Sequence, residues 1–253
     1  MHAPATRVIE APLIEVFSSL QGEGILVGAR QIFVRFAECN LACTYCDTPF
    51  RPATTCRVEK IPGSADFTGR ENPIDLRYIT HLISEWQHSY NNLHHSVVLT
   101  GGEPLLHAEV LKDWLPEIKP LLPVFLETNG TLPMHLETVL PLLDMISMDI
   151  KGFSTSGVET PWVVHAQFME LAKQRLCQVK LVVDTTTSDA EVQQAAMLVS
   201  QHAPETPFIL PPRTMAAGPS LGGRDLLRLQ QIAAEKHHDI RIIPEIHPFL
   251  GVA

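Results

Sequence analysis

A series of short apolar segments, alternating with amphipathic stretches, sets the narrowest limit on how this chain can fold. They lie at 31–36 (QIFVRF), 96–100 (SVVLT), 123–128 (PVFLET), 145–150 (MISMDI), 178–183 (QVKLVV), 207–210 (PFIL) and 240–243 (IRII). β-Branched and aromatic residues dominate, and the near-continuous apolarity suits strands covered on both faces. Between them run helical patterns. Residues 75–88 carry Leu76, Ile79, Leu82, Ile83 and Trp86 on one stripe, and 168–176, 189–201 and 221–236 alternate with the later strands in the same way. Ser188 followed by Glu191 predicts a capping box for the third of these. Strands alternating with helices predict parallel βα units. The expected fold is therefore α/β, with about six such units forming a parallel sheet as a partial, open TIM-like barrel.

With 253 residues, 45% of them hydrophobic, the chain is long enough for one sizeable core and too apolar for disorder. One domain over 1–253 is expected. It is interrupted by an excursion at about 54–72, where Gly, Pro and charge break the pattern. No apolar run approaches the roughly 20 residues that span a bilayer. The start, MHAPATRVIEAP, lacks the basic and apolar regions of a secretory signal, so a cytoplasmic location and no membrane partner are expected. A net charge of −9 argues against nucleic acid as a partner.

Polar, Gly-containing segments follow the strands: TGGEP after the second, ETNG closing the third, and DIKG after the fourth. Ligands of parallel α/β folds bind at the carboxyl ends of strands. These segments thus predict a single binding face.

Three of the five cysteines fall within ECNLACTYCDT, as Cys39, Cys43 and Cys46 in the spacing C-x3-C-x2-C. Without a signal peptide, such clustering reads as metal binding. Three thiolates can ligate three irons of a [4Fe–4S] cluster and leave the fourth open. The competing reading is structural zinc, which wants four ligands. Here one C-x2-C pair stands without a nearby His, and Cys56 is the available fourth ligand. Otherwise Cys56 and Cys177 read as ordinary buried thiols. His94, His95, His237 and His238 sit in polar contexts and are expected to be solvated.

The cysteine spacing with its C-N-L opening (Cys39, Asn40, Leu41), Tyr45 before the last cysteine, and TGGEP at 100–104 resemble the radical S-adenosylmethionine (SAM) superfamily. The stretch EVFSSLQGEGILVGARQIFVRFAECNLACTYCDT at 15–48 resembles, more narrowly, the 7-carboxy-7-deazaguanine synthase family. That likeness continues through ETNGT at 127–131 and P-x-x-H-x-x-x-G at 244–251.

The resemblance implies an enzyme that converts 6-carboxy-5,6,7,8-tetrahydropterin into 7-carboxy-7-deazaguanine with loss of ammonia. Its cofactors would be the [4Fe–4S] cluster, SAM in a recycled role, and Mg²⁺. Leu20, Gln21, Gly22, Glu23, Arg35, Thr100 and His247 would meet the pterin. Gln21 and Glu23 would match its amide-like edge, and Arg35 its carboxylate. Gly101, Gly102, Glu103, Glu127, Ser147, Asp149 and Lys151 would surround SAM. Thr48 would bind Mg²⁺ through its hydroxyl, with Asp47 orienting that shell. A reducing partner such as flavodoxin or ferredoxin, and a homodimer, are implied as well.

The chain departs from the family in three places. Glu38 stands where many members have Gly, SMDIKG replaces S-P-K, and Glu245 with Pro248 replaces the Gln and Lys of P-Q-x-H-K. Because DIKG resembles the D-x-K element of glycyl-radical-enzyme activases, that class is the alternative enzyme. A zinc-bound non-catalytic module is the alternative outside enzymes.

Overall fold

The computed structural model describes residues 9–46, 53–216 and 218–252. Its centre is a ten-stranded sheet. In chain order the strands and the helices between them are β1 (Leu13–Leu20), β2 (Arg30–Phe36), β3 (Thr55–Glu59), β4 (Phe67–Glu71), α1 (Leu76–Ser89), β5 (Ser96–Gly101), α2 (Ala108–Ile118), β6 (Val124–Thr128), α3 (Pro133–Val139), β7 (Met145–Ile150), α4 (Trp162–Ala172), β8 (Leu176–Leu181), α5 (Asp189–His202), β9 (Phe208–Ile209), α6 (Gly223–Ala234) and β10 (Ile240–Arg241). The strand order across the sheet is β10–β9–β8–β7–β6–β5–β2–β1–β3–β4. From β2 to β10 every neighbouring pair is parallel, and each crossover carries a helix. Because β10 and β4 lie at opposite edges without pairing, the barrel is open.

Strand parity sorts the side chains. The outward set, including Val34, Leu99, Leu126, Ile146 and Val179, packs under the helices with Trp114, Phe168 and Val199. Burying each such large side chain contributes about 1.5–3 kcal/mol. The inward set is a smaller cluster of Phe17, Phe33, Val98, Phe125 and Met145. Phe17 and Phe33 are cross-strand partners with stacked rings 5.1 Å apart. Two positions further along, the inward side chains become Arg35, Thr100, Glu127, Ser147 and Gln178. Over these positions the inner face changes from an apolar band to a polar mouth, while Gln31 and Ser96, bonded to each other at 2.8 Å, start the same rows of β2 and β5.

Several expectations need correction. The antiparallel strand β1 was not anticipated, because Glu15, Ser18 and Ser19 dilute its apolar pattern. Within the excursion at about 54–72, β3 and β4 form a hairpin that extends the sheet beyond β1. The helix placed at 168–176 runs instead over Trp162–Ala172, burying His165, Phe168, Met169 and Ala172, and Leu176 already begins β8. Ser188 does cap α5, its hydroxyl accepting from the Glu191 N–H at 3.2 Å. Glu191 does not return the bond to Ser188; its carboxylate accepts from Ser154.

His94 and His237 are buried rather than solvated. His94 Nε2 meets the Ser18 hydroxyl at 2.7 Å, and His237 Nε2 donates to the Thr206 carbonyl at 2.9 Å. A buried partner outweighs hydration in each case. Burial pushes His94 down to about 4, and the Cys56 and Cys177 thiols up to about 12. No described helix is long and apolar enough to cross a membrane.

Candidate active site

At the carboxyl ends of the parallel strands lies a cavity of about 470 Å³. The loop after β2 brings Cys39, Cys43 and Cys46 to its wall. That loop is tied down on its far side, where Thr44 N–H donates to the Ser156 carbonyl at 2.9 Å and Thr44 Oγ1 donates to that of Thr155 at 2.9 Å. Gly157 makes room, since a Cβ there would stand 2.8 Å from Thr44 Cγ2. Cys39 Sγ receives the Leu41 N–H at 3.5 Å and the Asn129 amide at 3.7 Å. Three cysteines that face one cavity, with Cys39 receiving N–H donors, suit an iron–sulfur cluster, whose potential such contacts tune. Among the described residues no three His, Cys, Asp or Glu side chains gather as a single-ion site. The donor set fits a cluster, in which each thiolate takes its own iron.

The second motif is built around close backbone approach. At Gly101 (φ +123°) a Cβ would lie 2.2 Å from the Phe36 carbonyl oxygen, and at Gly102 it would lie 1.8 Å from that of Glu38. Only glycine fits both positions. What these glycines approach is the cysteine loop's own root, to which Gly102 and Glu103 donate backbone bonds of 3.0 and 2.8 Å. Glu103 is fully buried and does not line the cavity. Its carboxylate accepts from Leu105 N–H, Thr128 Oγ1 and Asn129 N–H at 2.8–3.1 Å, stitching TGGEP to ETNG. Burial pushes Glu103 up to about 7 against those three donors.

Ser147 also sits behind the wall, where its hydroxyl accepts from Gln178 at 2.8 Å. Gln178 in turn accepts the Ile25 N–H at 2.7 Å, pinning the turn after QGEG. The cavity is lined by the other described residues singled out in the sequence: Leu20, Gln21, Gly22, Glu23, Arg35, Thr100, Gly101, Gly102, Glu127, Asp149, Lys151 and His247. Thr48 and Asp47 lie outside the described residues.

Two networks order this lining. In the first, Glu127 accepts from Gln21 Nε2 at 2.9 Å and from Thr100 Oγ1 at 2.7 Å, while Gln21 Oε1 accepts the Glu23 N–H at 3.0 Å. The second is a chain of charges. Glu23 pairs with Lys180, Lys180 stands 3.2 Å from Asp149, Asp149 pairs with Lys151 at 2.9 Å, and Lys151 donates to the Tyr45 hydroxyl at 3.1 Å. Burial alone would raise Glu23 and Asp149, but the lysines hold both below the usual carboxylate range. Burial would lower Lys180, yet Asp149 and Glu23 hold it above the ordinary lysine value. The C-terminal segment closes the mouth: Ile246 N–H donates to the Gly22 carbonyl at 2.9 Å, and His247 occupies the space a Cβ on Gly22 would need.

Lys180 is not a site residue in the sequence reading, and Tyr45 and Asn129 enter it only as members of the cysteine motif and of ETNGT, without a role. Lys180 left one signal, a lone charge near the carboxyl end of an apolar strand.

A family model described as the radical SAM superfamily matches residues 34–183. A protein named 7-carboxy-7-deazaguanine synthase from Geobacter sulfurreducens is 45% identical over 244 residues, covering 95% of this chain and 97% of that one. Its namesake from Methanothermobacter thermautotrophicus is 33% identical over 97% of this chain and 99% of its own. The chain belongs to the 7-carboxy-7-deazaguanine synthase family of the radical SAM superfamily. A crystal structure of QueE from Escherichia coli shares the fold, with a TM-score of 0.56 at 20% identity over 93% of this chain and 94% of that one. As a radical SAM family member the chain uses a [4Fe–4S] cluster and SAM, and the cysteine-lined wall is where this synthase-family chain has suitable ligands. These relationships favour the synthase family over the glycyl-radical-enzyme activases and over a zinc module.

Proposed function

We propose that this chain converts 6-carboxy-5,6,7,8-tetrahydropterin into 7-carboxy-7-deazaguanine with loss of ammonia, as one radical SAM domain over 1–253 with an insertion at 54–72. The observation that carries the reading is that Gln21, Gly22 and Glu23 of QGEG, Arg35 and the three cysteines open into one cavity. When bound, the cluster and SAM supply one-electron cleavage of the sulfonium and the hydrogen abstraction that follows.

The chain's own part is binding and orientation. Arg35 presents its guanidinium to the pterin carboxylate, a two-pronged match that lysine would not give. Leu20, Gln21, Gly22 and Glu23 form the edge that reads the pterin amide, with Thr100 and His247 on either side. Glu127 keeps Gln21 and Thr100 aimed by accepting from both. The backbone of Gly101 and Gly102, with Asp149 and Lys151, receives SAM, and Glu103 and Ser147 stiffen that wall from behind. The cysteines hold the cluster, Thr48 holds Mg²⁺, and flavodoxin or ferredoxin delivers electrons to a cytoplasmic homodimer.

Arg35→Ala tests this assignment in anaerobically reconstituted protein. Deazaguanine formation should fall by at least about 100-fold, the loss of a bidentate charged contact, while reductive cleavage of SAM to deoxyadenosine persists. Unchanged pterin turnover would show that the substrate carboxylate binds elsewhere.

A further inference from the structure

Three neighbouring strands place three charged residues in one row. Glu15 of β1 stands directly opposite Arg35 of β2 in the antiparallel register, and directly opposite Arg57 of β3 in the parallel one. Arg35 Nε donates to Glu15 Oε1 at 3.0 Å, and Arg57 reaches Glu15 Oε2 at 3.5 Å. The β1–β2 register shifts between Leu13 and Glu15, an irregularity of the kind that re-aims a side chain.

We infer that Glu15 is a positioning residue for Arg35, and that the β3–β4 hairpin braces Glu15 from its other side. The inference rests on the proposed role of Arg35 toward the pterin carboxylate. An arginine on a free strand end samples many rotamers, and ordering a bidentate contact then costs side-chain entropy. Among the described residues Nε is the Arg35 nitrogen that donates, which leaves the two terminal nitrogens for an incoming carboxylate. The Arg35 guanidinium also lies 5.9 Å from the centroid of Phe17, whose ring is fixed by stacking on Phe33. Phe17 and Glu15 thus set the plane from two directions.

On the outer side, the Arg57 guanidinium sits 4.2 Å from the centroid of the Phe67 ring on β4, so the hairpin orients Arg57 as Glu15 orients Arg35. The Arg35 and Glu15 side chains are 29% and 19% exposed, so this pair is screened less than the Arg57 pair, where arginine is 60% exposed. Glu15 should therefore matter more than Arg57. The hairpin, which the βα pattern alone does not need, gains a role at the site.

A double-mutant cycle tests this. Dissociation constants for 6-carboxytetrahydropterin would be measured anaerobically on reconstituted wild type, Glu15→Gln, Arg35→Ala and the double variant. Thermal midpoints and the constant for SAM would be recorded alongside. Glu15→Gln should weaken pterin about tenfold, the loss of one charge-assisted orienting contact, with SAM binding unchanged. On the Arg35→Ala background it should cost nothing further. Arg57→Ala should weaken pterin by about twofold, as an exposed pair would. Wild-type affinity in Glu15→Gln, or a full additional loss on the Arg35→Ala background, would overturn the inference. If wild type binds no pterin, the substrate assignment fails and this inference falls with it.

Discussion

Lys180 lies opposite Asp149 on the adjacent parallel strand, with Nζ 3.2 Å from the Asp149 carboxylate, and it holds Glu23 as well. It thereby joins the QGEG segment to the strand that ends in DIKG. The Lys180 side chain is 7% exposed, so water compensates poorly for its loss. Lys180→Met should destabilise the fold by about 3 kcal/mol, because the partly buried carboxylates of Glu23 and Asp149 lose the cation they share. Urea unfolding at constant pH measures this. A change under about 0.5 kcal/mol, the size expected of an ordinary surface substitution, would mean that solvent already carries that charge.

Glu245, which lines the cavity beside Glu23, gives the site a pH dependence. Burial and a hydrogen bond to Glu23 raise its carboxyl to about 7 from an ordinary 4.5. Lys180 faces the pair, and Thr214 donates to Glu245. Between pH 4.5 and 7 the folded chain thus keeps a proton that the unfolded chain releases. Its contribution to stability is fully present below about pH 4.5 and is lost as pH rises through 7. Unfolding free energies of wild type and Glu245→Gln share the decline that the raised Glu103 carboxyl brings, but the wild-type advantage over the variant should shrink as pH rises across that window. Parallel curves would remove Glu245 as its source.

The glycine pair of TGGEP should be intolerant of any side chain. In Gly102→Ala the new methyl would meet the Glu38 carbonyl oxygen at 1.8 Å, which only a shift of the cysteine loop can relieve. The cost belongs at the top of the roughly 1–3 kcal/mol range for overpacking, and it falls on the loop that carries Cys39. Iron content and absorption near 400 nm after reconstitution should drop to under about half of wild type, the broad band being that of thiolate-ligated clusters. Full iron loading would show that the loop can move away.

Glu38 has a positive φ of 69°, a conformation that L-residues adopt at a cost of about 1–2 kcal/mol. Glycine would adopt this conformation without that cost. Glu38→Gly should raise stability by about 1 kcal/mol after the added freedom of the unfolded chain is subtracted. The contact it removes is long, 3.9 Å from a half-exposed Glu38 carboxylate to a largely covered His107, and contributes little. A lower urea midpoint in Glu38→Gly would show that the carboxylate is holding the loop.

Much of the fold was legible because the strands from 31 to 243 keep apolar pattern and alternate with amphipathic helices, as Leu76, Ile79, Ile83 and Trp86 of α1 illustrate. β1 was not legible, since its polar residues face a sheet mouth and partners that only tertiary structure supplies. Glu15 makes sense once Arg35 and Arg57 flank it, and Ser18 once His94 accepts it as a partner. The candidate site was legible where a motif carried it, in the cysteines, TGGEP and QGEG. Lys180 was missed because its function depends on register with Asp149, and register is a property of paired strands. Glu103 and Ser147 show the converse. Their motif membership is plain in the sequence, but their depth behind the cavity wall is not.

Turnover by the reconstituted protein tests the central claim most directly. Anaerobic protein supplied with SAM, dithionite, Mg²⁺ and 6-carboxytetrahydropterin should form 7-carboxy-7-deazaguanine, detected by mass spectrometry, with SAM largely conserved. Deoxyadenosine without deazaguanine would contradict the substrate assignment and leave only the radical SAM core standing.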